Sequence, residues 1–134
     1  RHIGCAGAWG LFPNKDAVYI NYNGHLPADK CHTATYEVPE NNAFWSITVY
    51  DMARWGFIAN PQDRSGLGMF DKDRMSVNDD GSVDIYVGPK APDGLESNWI
   101  PSMDKTPVIW LRLYGPDERF WQKTFTMPDI ERVE

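Results

Sequence analysis

The sequence predicts an all-β protein, an antiparallel jelly-roll-like β-sandwich with short helical turns. Three observations carry that expectation. Six Trp, six Tyr and six Phe in 134 residues, beside ten Pro and eleven Gly, favour short strands and tight turns over long helices. Apolar residues recur with period two in short runs, each bounded by turn residues. Almost no segment reads as helix, and about eight short strands separated by turns are the pattern of a sandwich or barrel. At 42% hydrophobic and 24% charged residues, the chain can bury a core without disulfide staples, as one domain over residues 1–134.

The elements follow in order. Residues 17–22 have strand composition, and Asn23-Gly24 after them predicts a hairpin turn. Residues 33–38 alternate and stop at Pro39, and a turn at residues 40–42 leads into the strongest strand, residues 44–50. On that strand Trp45, Ile47 and Val49 share one face with Asp51, while Phe44, Ser46, Thr48 and Tyr50 share the other. Periodicity fades over residues 52–75, which predict irregular loop with one helical turn at residues 52–56. Loops of that length are uncommon and often functional.

Met75-Ser76-Val77 and residues 82–87 predict a hairpin closed by Asn78-Asp79-Asp80-Gly81. Residues 88–94 are loop, with Asn98-Trp99-Ile100-Pro101 just beyond. Residues 108–114 are apolar on both faces apart from Arg112, as in a central strand, and Gly115-Pro116 ends them. Asp117 opens a helical turn reaching Trp121, and Pro128 precedes a short tail. There is no internal repeat, linker or low-complexity segment.

A net charge of −6 and the lack of any Lys/Arg run argue against nucleic acid and against an anionic membrane surface as partner. No stretch approaches the ~20 apolar residues of a membrane span. The chain begins with Arg1 and shows no signal peptide, as expected of a mature or trimmed product. A periplasmic or secreted location and a cytoplasmic one both stay open, as does the oligomeric state. Cys5 and Cys31 are either two half-buried free thiols or a bridge.

The chain has no nucleophile elbow, zinc-protease helix, P-loop, paired-cysteine motif or dinucleotide fingerprint. His2, His25 and His32 lack the close spacing that seeds a metal site. Asp71-Lys72-Asp73 and Asn78-Asp79-Asp80-Gly81 lack the ligand register of a calcium loop and predict turn chemistry. No catalytic residue, metal ligand or cofactor is therefore assigned.

Three clusters join large rings to groups that must hydrogen-bond or ionise: Phe44-Trp45-Ser46 running to Tyr50-Asp51, then Asn98-Trp99-Ile100-Pro101, then Arg112-Leu113-Tyr114-Gly115-Pro116. A buried Asp, Asn or Arg is costly unless it finds a partner. Two readings follow. Tyr50, Asp51, Asn98 and Arg112 form a polar network that holds the fold. Alternatively, Trp45, Asn98, Trp99, Arg112 and Tyr114 line a ligand site of the aromatic-walled kind.

Taken in order, Phe-Trp-Ser…Tyr-Asp, Asp-Gly-Ser-Val-Asp-Ile-Tyr, Asn-Trp-Ile-Pro and Leu-Arg-Leu-Tyr-Gly-Pro make the chain resemble the bacterial domain of unknown function 1214 over nearly its whole length. The resemblance implies a jelly-roll-like sandwich, no established activity, and a frequent N-terminal neighbour, domain of unknown function 1254. That neighbour is not in this sequence, as in a stand-alone version or a fragment. The motif positions carried over are Trp45, Ser46, Tyr50, Asp51, Asn60, Arg64, Asn98, Trp99, Pro101, Arg112, Tyr114 and Pro116. Ser65-Gly66-Leu67-Gly68 departs from the aromatic and apolar residues that the family usually places after its Asn-to-Arg step, which predicts a rebuilt loop.

The function expected is a non-enzymatic binding or interaction module for a small molecule, glycan or protein partner. One alternative is a structural or assembly domain docked on a partner. Another is a hydrolase-type enzyme using Asp51, Arg112 and a tyrosine.

Overall fold

The computed structural model describes residues 13, 15–22, 24–37, 44–125 and 128–133. Among these, eight strands run in chain order: β1 (Ala17–Asn21), β2 (His32–Tyr36), β3 (Phe44–Asp51), β4 (Gly66–Gly68), β5 (Val83–Gly88), β6 (Trp99–Pro101), β7 (Pro107–Tyr114) and β8 (Glu131–Arg132). They form two four-stranded sheets, β1-β7-β3-β4 and β6-β5-β2-β8. The only helix of α type among the described residues is α1 (Glu118–Trp121), whose first turn is capped by Asp117 accepting from the Phe120 N–H at 3.3 Å. The result is a mostly antiparallel β-sandwich.

Alternation explains the layering. Trp45, Ile47 and Val49 of β3 and Ile109, Leu111 and Leu113 of β7 point inward, against Ala34 and Tyr36 of β2 and Val83, Ile85 and Val87 of β5. All are buried, and Ile47 and Ile100 are wholly inaccessible to solvent. β7 is central in its sheet, paired with β1 on one side and all along β3 on the other. Phe44, Ser46, Thr48 and Tyr50 therefore face outward, as do their register partners Tyr114, Arg112 and Trp110.

Four expectations need correcting. The Asn23-Gly24 signal does not close a hairpin, because β1 pairs with β7 in one sheet and β2 with β5 in the other. Residues 52–75 are not all loop: β4 adds to the edge of β3, followed by a 3-10 turn at Met69–Asp71. A three-residue strand with glycine at both ends carries no alternation to read. Met75–Val77 is no strand of a hairpin, since the flanks of β5 are taken by β2 and by β6. The β5–β6 pair is parallel, an exception to the antiparallel rule that follows from residues 89–98 carrying the chain back before β6 enters. The predicted strand end at Val38, Pro39 and the turn at residues 40–42 lie outside the described residues, as do Asn23, Cys5 and His2.

Candidate functional site

The three clusters converge less than the sequence suggests. In the β3–β7 register Arg112 lies opposite Ser46, whereas Asp51 lies opposite Pro107, five residues further along. At ~3.4 Å per residue that separates them by about 17 Å, and they sit on opposite faces of the sheet. Asn98 is in neither place, since it precedes β6 in the other sheet. Of the four residues expected in one polar network, the structure brings together Tyr50 and Arg112 only. The Asp51, Arg112 and tyrosine constellation of the hydrolase alternative is not assembled either.

Several signature residues instead hold backbone. Asp51 accepts the Ala53 N–H at 2.9 Å and fixes the turn after β3. Asn60 spans its own loop, donating to the Ile58 and Arg64 carbonyls at 2.8 and 2.9 Å and accepting the Arg64 N–H at 3.0 Å. Arg64 then reaches the Glu96 and Trp99 carbonyls at 2.7 and 2.9 Å.

Asn98, only 2% exposed, replaces a strand pairing. Its amide donates to the carbonyls of Ser76 and Asp84 at 2.7 and 2.9 Å, and its oxygen accepts the Ser76 N–H at 2.8 Å. That is why Met75–Val77 needs no ladder of its own. Trp99 spends its ring N–H on the Gly88 carbonyl at 3.0 Å, and Trp45 is buried in the core. Of the five residues expected at a ligand, Arg112 and Tyr114 share a face; Trp45, Asn98 and Trp99 lie elsewhere.

What gathers around Arg112 on the outer face of the first sheet is an arc of rings in two runs, bridged by the guanidinium. Phe70 packs on Phe44 with centroids 5.7 Å apart, and Phe44 stacks on Tyr114 at 4.2 Å. Tyr114 meets Tyr19 edge-on at 5.9 Å, their hydroxyls 2.9 Å apart. The Arg112 guanidinium lies 5.8 Å from the Tyr19 ring and 5.7 Å from the Tyr50 ring, and it donates to the Tyr50 hydroxyl. Tyr50 stacks on Phe57 at 5.0 Å. Six rings thus follow one another, with a single cation in the sequence.

The two ends are open, with Phe57 63% and Phe70 80% exposed. Beside Arg112 the floor is low, because its neighbours across β3 and β4 are Ser46 and Gly68. The arc depends on pairing between strands distant in sequence, so Tyr19, Phe57 and Phe70 escaped the sequence reading. The outward alternation of Tyr19 and Asn21 against Val18 and Ile20 was the one available signal.

The electrostatics keep the cation intact. Arg112 enters no ion pair among the described residues. Burial first, then the hydrogen bond with Tyr114, pushes the Tyr19 phenol up to about 12. Burial raises Tyr50 as well, with Arg112 opposing that rise. Both phenols therefore stay neutral near pH 7 and leave the guanidinium charge uncancelled. With one N–H directed at Tyr50, the guanidinium keeps donors for an anionic group.

Elsewhere, the described histidines do other work. His32 is buried with Nε2 3.1 Å from the Pro27 carbonyl, and His25 is exposed. Cys31 is a free, half-buried thiol raised by burial. Asp71 accepts the Gly68 N–H at 3.0 Å and Asp80 accepts from Ser82, so the acidic runs are turn chemistry. Among the described residues no group of three or more His, Cys, Asp or Glu is placed to hold a metal, and no helix is long and apolar enough to cross a membrane.

Comparison with known proteins adds the family and the fold. The VPA0106 protein from Vibrio parahaemolyticus superposes with a TM-score of 0.77 at 23% identity, covering 98% of this chain and 34% of that one. An uncharacterised protein from Burkholderia cenocepacia gives a TM-score of 0.53 at 18% identity, over 88% of this chain and 29% of that one. This chain thus spans about a third of the length of these two proteins, and at such identities the likeness shows the fold alone. No curated protein matches the chain. The model of a family described as a protein of unknown function, DUF1214, matches residues 23–118, and the chain belongs to that family.

Proposed function

We propose that this protein is a non-enzymatic binding module whose recognition face is the aromatic arc on the β1-β7-β3-β4 sheet. The partner, a small molecule, glycan or protein segment, lays a flat or apolar surface along the rings and seats an acidic group on Arg112. The observation that carries this reading is the position of Arg112. It sits on the outside of a central strand, between two tyrosine rings, with no carboxylate among the described residues to neutralise it. Asn60, Arg64 and Asn98, by contrast, have their bonding explained by backbone.

The test is a binding screen by protein-observed NMR against aromatic and aliphatic carboxylic acids, acidic glycans and acidic peptides. Binding that shifts signals of β1, β3 and β7 in the native protein and vanishes in Arg112→Gln supports the reading. Binders that ignore Arg112→Gln, or no binder in any class, reject it. The assembly alternative draws on one observation, the exposure of Phe57 and Phe70 at the two ends of the arc. Under it Phe57→Ser with Phe70→Ser abolishes association with a protein partner while no small acid binds.

A further inference from the structure

At one end of the sandwich the turn after β3 and the turn between β6 and β7 enclose a cleft in two lobes. One lobe, about 400 Å³, is lined by Asp51, Met52, Ala53, Arg54 and residues 104–106. The other, about 390 Å³, shares Asp51, Arg54, Asp104 and Lys105 and adds Phe57, Ile58 and Met103. Both volumes lie in the range of small-molecule sites. The two turns are tied together by the Met52 N–H donating to the Thr106 carbonyl at 3.0 Å.

Two features set this cleft apart from an ordinary gap between loops. Asp51 lines both lobes yet is only 6% exposed. Its Oδ1 takes the Ala53 N–H, but among the described residues its carboxylate has no cation partner and Oδ2 accepts no hydrogen bond. Oδ2 is not among the sealed, unpartnered side-chain atoms of the described residues, so it stays reachable by a donor that enters the cleft. In addition, of the four non-glycine residues with positive φ among the described residues, two lie in these turns, Trp55 at φ 54° and Met103 at φ 52°, while Asp63 and Lys123 lie away from the cleft. Backbone strain of this kind costs about 1–3 kcal/mol per residue and clusters at ligand clamps.

We infer that this cleft binds a neutral polyhydroxyl ligand of one or two sugar rings. Hydroxyl donors fill Asp51, and neighbouring hydroxyl oxygens accept from Arg54 and Lys105 at the rim. The exposed ring of Phe57 offers a flat apolar face to the C–H side of the sugar. A ligand cation suits Asp51 but meets Arg54 and Lys105, and a ligand anion meets Asp51 and Asp104. A neutral polyol satisfies both signs, since each hydroxyl donates and accepts.

The experiment is an NMR titration of the whole chain with methyl glycosides of the common hexoses and with maltose and cellobiose. Shifts confined to residues 51–59 and 103–106 are expected for at least one sugar. Asp51→Asn should weaken its binding about tenfold, as expected for losing a hydrogen bond to a charged group. That variant keeps the turn, because the amide oxygen still accepts the Ala53 N–H. Arg54→Ala, at an exposed site, should weaken binding several-fold and leave thermal unfolding unchanged. No shift with any sugar, or binding unaltered in both variants, overturns the inference. Arg112→Gln should not affect sugar binding, so failure here and failure of the arc are separately visible.

Discussion

The Arg64 guanidinium donates to the Trp99 carbonyl at 2.9 Å, tying the loop that follows β3 to the edge strand of the opposite sheet. The same nitrogen reaches the Glu96 carbonyl at 2.7 Å, and Asn60 holds the Arg64 backbone from within its own loop. A stretch without periodicity is thereby given one conformation by side chains that supply what strand pairing does not.

Removing that tie should be measurable. Arg64→Ala loses two charge-assisted bonds to carbonyls and should cost about 2–3 kcal/mol of stability in urea unfolding. Arg64→Lys should recover only part, because the ammonium can donate to both carbonyls but sits on a shorter, flexible stem that loses more freedom when held there. Amide exchange of residues 58–65 should accelerate in both.

Asn98 makes a sharper case. Asn98→Ala strands the Ser76 N–H and two carbonyls in a buried site and should cost about 2–4 kcal/mol. Asn98→Asp should be worse at neutral pH, since a carboxylate accepts the Ser76 N–H but faces the Ser76 and Asp84 carbonyls with no proton to give. Chemical denaturation of the two variants at pH 7 ranks them.

These residues also show what the sequence made legible. The strands β3, β5 and β7 were readable because alternation or a continuous apolar run survives along each of them. Asp117 was readable as a cap because capping is local. The polar clusters were recognisable as a fold signature, but their partners were not, since the bonds of Asn98 and Arg64 span 14 to 35 residues. β4 was hidden because its glycines are chosen by the neighbour strand, and the arc was hidden because Tyr19 joins it through β1–β7 pairing.

The hidden glycine yields a test of its own. A Cβ built on Gly68 would lie 2.5 Å from the Trp45 carbonyl oxygen and 2.9 Å from the Ser46 Cα, both backbone that cannot swing away. Gly68→Ala should therefore displace β4 and cost about 1–3 kcal/mol. Gly56→Ala, where no atom lies within 4 Å, should change stability little. Thermal unfolding of the pair separates close approach from a general need for glycine.

Alkaline pH should weaken the fold through Tyr36. Its phenol is 3% exposed, and burial pushes it up to about 12 from an ordinary value near 10. Above pH 10 the unfolded chain releases this proton while the folded chain retains it. Stability is thus full below pH 10 and falls as pH rises toward 12, by an amount on the order of 2–3 kcal/mol. Tyr36→Phe should flatten this part of the stability curve, with the transition followed by fluorescence at fixed urea.

The Arg112–Tyr50 pair separates a structural from a functional role on the arc. Arg112→Met keeps a long apolar stem between the rings but removes the charge and the hydrogen bond to the phenol. A double-mutant cycle with Tyr50→Phe should give a coupling of about 1–2 kcal/mol, which reports the hydrogen bond to the phenol, since Phe keeps a ring for the cation–π contact. The phenolate of Tyr50 is favoured by the guanidinium, so its pKa, already raised by burial, should rise further in Arg112→Met. Absorbance titration near 295 nm reads that change, with Tyr50→Phe subtracted to isolate the group. A coupling near zero together with an unmoved titration would mean that Arg112 does not act on Tyr50 in solution. The guanidinium would then be turned outward, still free of carboxylate partners among the described residues, and any acid binding would depend on Arg112 alone and not on the tyrosine beside it.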